Sequence, residues 1–102
     1  MSKTYKFYSD AGHAWLAVKL AELEALGVPL SSISNYSYLK GKTVYLEEDC
    51  DAPKFINKFI EKNQTQPFFV HIEHNNPSPI RSYPQLFRVR GQPLLQLYRV
   101  KG

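Results

Sequence analysis

Period-two alternation opens the chain. Thr4 to Tyr8 puts Tyr5 and Phe7 on one side and Lys6 and Tyr8 on the other, the pattern of a half-buried strand. Ser9-Asp10-Ala11-Gly12 is a turn cluster, and Ala14 to Val18 resumes an extended apolar run around the single tryptophan, Trp15, so the two segments predict a hairpin. From Lys19 the period lengthens. Leu20, Leu23 and Leu26 recur every three residues, Glu22 and Glu24 fall elsewhere on the wheel, and Gly27 stands in a C-cap position, which predicts about two turns of helix stopped by Pro29.

After the polar connection Ser31 to Asn35, Tyr36 to Leu39 and Thr43 to Leu46 flank Gly41-Lys42 and predict a second hairpin, with the glycine supplying a positive φ. Glu47-Glu48-Asp49-Cys50-Asp51-Ala52-Pro53 then reads as a helix entry. Asp51 is suited to cap the free amides, Pro53 to an early helical position, and the acids to the positive end of the dipole. Phe55, Ile56, Phe59 and Ile60 form an apolar stripe facing the sheet, with Lys58 and Lys62 toward the C-terminal end. Phe68 to Glu73 alternates again, Phe68, Val70 and Ile72 opposing Phe69, His71 and Glu73. Asn75 to Pro79 breaks the pattern, Pro84 prolongs the irregular stretch, and Leu86 to Arg90 with Leu94 to Val100 can pair about Gly91-Gln92-Pro93 as a final hairpin.

These elements predict an α+β fold: one small domain with a mainly antiparallel sheet, two helices packed on one face and a C-terminal hairpin or arm. Residues 1–83 form the domain and 84–102 a basic hairpin or an extension of it. A chain of 102 residues, 43% hydrophobic and 14% aromatic, can bury a single core without a disulfide or metal. One cysteine, Cys50, and no apolar signal core after a charged leader fit a reducing cytoplasm, and the apolar runs are far too short to span a bilayer.

Charge changes the picture. His74 to Gly102 carries five basic residues (Arg81, Arg88, Arg90, Arg99, Lys101) and no acid, whereas Met1 to Glu73 carries eight basic and nine acidic ones. A basic end bearing Tyr83, Phe87 and Tyr98 points to an anionic partner, nucleic acid or an acidic protein face. Arg81, Tyr83, Arg88, Arg90 and Arg99 are the candidate contact residues, set against the plain reading of solvated arginines on an amphipathic hairpin.

Other chemistry is thinner. The acidic run Glu47, Glu48, Asp49 and Asp51 has no EF-hand spacing, and acids before a helix serve caps and dipole without any ion. His13, His71 and His74 make no HExxH, so a metal set of Asp10, His13, Glu47, Glu48 and Asp49 is only an alternative. Cys50 feels opposed effects from a helix start and neighbouring acids. No nucleophile elbow, P-loop or dinucleotide fingerprint occurs, so no cofactor and no catalytic residue is expected.

Three stretches, FYSDAGHAWLAV from Phe7, ISNYSYLKGKTVYLEEDCDA from Ile33 and SPIRSY from Ser78, resemble a family of short uncharacterised proteins encoded by bacteriophages and plasmids. Asp10, Gly12, His13, Trp15, Tyr36, Tyr38, Glu47, Glu48, Asp49, Cys50, Asp51, Arg81 and Tyr83 fall on matching positions, and the segment from Pro84 departs from the pattern. The resemblance implies a bacterial cytoplasmic setting and a mobile-element origin. Small size, the absent catalytic motif and the charged aromatic surface then lead to an expectation of a non-catalytic accessory protein that binds a host macromolecule, as an inhibitor of a defence system. Nucleic-acid binding through the basic arm and a small metal-dependent enzyme are the alternatives.

Overall fold

A computed structural model describes residues 3–74 and 78–83, together with the strand backbone of 85–88 and 95–98. Strand β1 (Thr4–Ser9) and β2 (Ala14–Lys19) form the first hairpin, and helix α1 (Leu20–Ala25) follows at once. Strands β3 (Tyr38–Lys40) and β4 (Thr43–Glu47) form the second hairpin, and helix α2 (Ala52–Asn63) leads into β5 (Phe68–Glu73). A 3-10 turn, Pro79–Ser82, precedes β6 (Gln85–Arg88) and β7 (Leu95–Tyr98).

The sheet runs β5-β1-β2-β4-β3, and β6 and β7 continue it beyond β3. Every pairing is antiparallel except β1 with β5, the strand to which α2 carries the chain from β4. This is the expected α+β arrangement. The two helices lie on one face, where Leu16, Val18, Leu23, Val44, Leu46, Phe55 and Phe59 make a closed core. Phe55 and Phe59 meet Tyr5 edge-on at 5.1 and 6.0 Å, so the apolar stripe of α2 is seated on β1.

Local signals explain the boundaries. Leu26 closes α1 with its N–H on the Glu22 carbonyl, and Gly27, whose N–H donates to the Glu24 carbonyl, takes φ +78, the left-handed conformation that ends a helix at least cost in glycine. Gly41 takes φ +62 in the two-residue loop between Lys40 and Thr43. Pro53 lies in the first turn of α2, where its missing N–H is not needed.

Two expectations are refined. Asp51 stands at the N-cap of α2, but its side chain makes no capping bond. It is fully buried and turned back to the Ser34–Ser37 segment, whose donors outcompete the helix amides. In β5 the helix-side positions belong to Phe69 and His71, which register with Tyr5 and Phe7, although only Phe69 is part-buried there, while Phe68 and Val70 on the other face are 61% and 48% exposed. The Asn75 to Pro77 loop, Pro84, the Gly91-Gln92-Pro93 turn, Arg90 and Arg99 lie outside the described residues.

Candidate functional site

Register places Trp15 on the face of the sheet away from the helices, in line with Tyr8 on β1 and Glu47 on β4. A tryptophan there would ordinarily be wet. It is 2% exposed because the chain returns across it: Arg81 lies over its ring at 5.3 Å, Tyr38 meets it edge-on at 6.1 Å and His13 stands 6.0 Å away. Its Nε1 is buried with no acceptor among the described residues.

Asp10 holds that return in place. Its side chain is 3% exposed, and both oxygens are saturated: Oδ1 accepts from the N–H groups of Gly12 and His13 and from Arg81 Nη2, and Oδ2 from the Ser78 N–H and Arg81 Nε. Arg81 first, then the Ser78 N–H, hold the Asp10 carboxyl well below the usual carboxylate range, against the opposing pull of burial. Ser78 in turn accepts from the Ile80 N–H and caps the 3-10 turn.

A second buried carboxylate ties the Ser34–Ser37 segment to the start of α2. Asp51 accepts the Ser34 N–H at 3.0 Å, the Ser34 hydroxyl at 2.6 Å, the Ser37 hydroxyl, and Lys54 Nζ at 3.1 Å. Burial works to raise this carboxyl, but the Ser34, Ser37 and Lys54 bonds together hold it below its ordinary value. Ser37 Oγ also accepts the Glu47 N–H at 2.9 Å, tying the β3 approach to the end of β4. Glu47 Oε1 accepts the N–H groups of Asp49 and Cys50, both at 2.9 Å, and its other oxygen lies 3.6 Å from His13 Nδ1.

Beside these two networks lies a cleft of about 480 Å³. Trp15 and Tyr38 form its apolar wall, Glu47 and Arg81 its charged wall, and His13, Tyr36, Asp49 and Cys50 its rim. Tyr36 is 64% exposed, a large ring standing in solvent at the mouth. The Cys50 thiol is pushed above its ordinary value, first by lost solvation and then by Glu47, Asp51 and Asp49, so the structure works against a thiolate nucleophile here.

The sequence candidates separate. Arg81 reaches the cleft but spends its guanidinium on Asp10 and Trp15, while Tyr83 packs on Tyr45 at 5.2 Å under Lys40. Arg88 lies on β6, and Arg90 and Arg99 are outside the described residues. Of the metal alternative, Glu47, Glu48 and Asp49 bring carboxylate oxygens within 4.8 Å of one another, but Glu47 faces inward and Asp10 has no lone pair left to offer. The ring at the mouth, Tyr36, stood out in the sequence only as a position matching the family resemblance and was not among the candidate contact residues. Compared with protein-family models, curated proteins and solved structures, the chain gives no significant match.

Proposed function

We propose that this chain is a non-catalytic accessory protein of a phage or plasmid that binds a host macromolecule, and that the partner docks at the cleft between Tyr36 and Arg81. Inhibition of a host defence system is the role such a contact would serve. One observation carries the binding reading: the buried acids in and beside the cleft are already engaged with groups of the fold, and Tyr36 offers a large exposed ring at the mouth, beside His13, Asp49 and Cys50 on the rim. Asp10, Glu47 and Asp51 spend their oxygens on backbone amides, hydroxyls and cations of the fold itself. A general acid or base needs a proton that can be exchanged with a substrate, and Asp10 and Asp51 are held ionised by internal partners.

A preformed concavity with an apolar wall and a rigid ring at its mouth suits an inserted side chain of a partner, since aromatic anchors in desolvated pockets supply most binding energy at interfaces. The three stretches that carry the family resemblance also converge here, Asp10 to Trp15 from β1 and β2, Tyr36 to Asp51 from the second hairpin, and Arg81 from the 3-10 turn. The test is a tagged capture from bacterial lysate, with and without nuclease, in parallel with a Tyr36→Ala/Asp49→Ala variant. A stoichiometric protein held by the parent through nuclease treatment and lost by the variant supports the reading. A partner retained equally by both would move the contact elsewhere.

A further inference from the structure

We infer that the open face of the sheet, on the stretch that adjoins the cleft, is a binding surface for single-stranded nucleic acid, built from Lys6, Lys19 and Lys40 around Tyr8 and Tyr45. Register fixes the arrangement. Lys6 on β1 pairs with Ala17 on β2, Ala17 with Tyr45 on β4, and Tyr8 follows two residues after Lys6 on the same face. Lys19 and Lys40 both pair with Thr43, so they flank β4 on this face. From Lys6 to Lys40 the face spans three strand spacings, about 14 Å.

The charges on it are of one sign. The three lysines are exposed, and none has an acid at ion-pair distance among the described residues. The strands contribute one carboxylate to this face, Glu47, and it is buried at the far end and engaged with its own loop. Glu22 borders the groove but is turned to the Tyr5 hydroxyl at 2.8 Å and to Lys3. A shallow groove of about 450 Å³ crosses this face, lined by Lys6, Tyr8, Ala17, Lys19 and Tyr45.

Its floor supplies stacking surface. Tyr8 and Tyr45 meet edge-on at 6.0 Å; His74 stacks on Tyr8 at 6.3 Å and Tyr83, under Lys40, packs on Tyr45 at 5.2 Å, so each ring is held on one side and half-buried, with the remainder open. Small Ala17 between them leaves room for a flat group. Lysines bind phosphate through charge and stacking accepts any base, so the combination fits a flexible polyanion carrying flat rings, without strong sequence preference. A duplex, whose bases are hidden, would meet the lysines alone. An acidic peptide would use the charge but not the rings.

Fluorescence anisotropy of the full-length chain with a labelled 12-nucleotide single strand, a duplex of the same length and a labelled oligoglutamate tests this. The expected result is single-strand binding that exceeds both competitors. Neutralising three phosphate contacts predicts a log–log salt slope of about −2 from this face, near a 20-fold loss between 50 and 200 mM salt. Lys6→Ala/Lys19→Ala/Lys40→Ala should abolish that share of the slope, and Tyr8→Leu should weaken binding about tenfold with the slope unchanged. Unchanged thermal melts would show that both variants fold. Failure to bind the single strand, equal binding of oligoglutamate, or binding lost only when Arg88, Arg90, Arg99 and Lys101 are changed to Gln would overturn the inference. None of these outcomes bears on the cleft, whose test reads a protein partner.

Discussion

Asp10 and Arg81, 71 residues apart in sequence, meet in a two-pronged ion pair, Nε to Oδ2 at 2.6 Å and Nη2 to Oδ1 at 2.8 Å. The pair draws the 3-10 turn against the first hairpin and roofs Trp15. Asp10 is buried while Arg81 keeps 37% of its side chain in water, so the arginine can recover solvation that the aspartate cannot. Loss of Asp10 should therefore cost more than loss of Arg81. We expect Asp10→Ala to destabilise by about 2–3 kcal/mol and Arg81→Ala by about 1–2 kcal/mol, with some of the latter from uncovering Trp15. Urea unfolding followed by tryptophan fluorescence reads both, and equal losses would contradict the asymmetry.

Acid should unfold the protein through the same carboxylates. Asp10 and Asp51 are both held below their ordinary range in the folded state, Asp10 by Arg81 first and Asp51 by hydroxyls, an amide and Lys54 that outweigh burial. A depressed folded pKa gives stability that is complete above the unfolded value, about 3.9, and is lost as pH falls toward the folded one. The denaturation midpoint should thus be insensitive to these groups from pH 7 to 5 and drop below about pH 4. In Asp10→Asn the low-pH decline should be shallower than in the parent; an unchanged slope would remove Asp10 from the account.

The Ser37 hydroxyl links the start of α2 to the end of β4, donating to Asp51 while accepting the Glu47 N–H. Both side chains are fully buried. Ser37→Ala leaves a carboxylate oxygen and an amide short of partners and should cost about 2 kcal/mol, Asp51→Asn at least as much. Because the two act in one network, the double variant should cost less than the sum by about 1 kcal/mol or more. Additive losses in a double-mutant cycle would mean that the serine serves only the Glu47 amide.

What the sequence revealed of this design, and what it hid, follows from the range of each interaction. The alternation of Tyr5 with Lys6, the Phe55 and Phe59 stripe and the glycine at 41 are local, and each produced its element where the pattern placed it. Asp51 misled because a buried carboxylate prefers two hydroxyls and an amide from a distant loop to the weaker local cap, and nothing in the run Glu47 to Pro53 advertises Ser34 and Ser37. Period two in β5 showed that two faces exist but not which faces inward, since Phe69 with His71 looks no more apolar than Phe68 with Val70. Arg81 carried a charge signal, yet its partner lies across the fold. The basic tail likewise drew attention from Lys6, Lys19 and Lys40, which gather on one face only after β1, β2 and β3 are arranged around β4.

Backbone conformation gives a last pair of expectations with opposite signs. Gly41 holds φ +62 with nothing within 4 Å of the place a Cβ would occupy, so Gly41→Ala meets no clash and its whole cost is the left-handed backbone, about 1 kcal/mol. Gln64 holds φ 60 at the C-terminal end of α2 and already bears that cost with a side chain attached. Its amide offsets part of it through one exposed bond, Nε2 to the Glu61 carbonyl at 2.9 Å. Gln64→Gly gives up this bond and some unfolded-state restraint but relieves the left-handed strain, and a net stabilisation of about 0.5 kcal/mol is expected. Thermal melting should therefore move down for Gly41→Ala and up for Gln64→Gly. A fall in both would show that Gln64 contributes more through its side chain than its backbone costs.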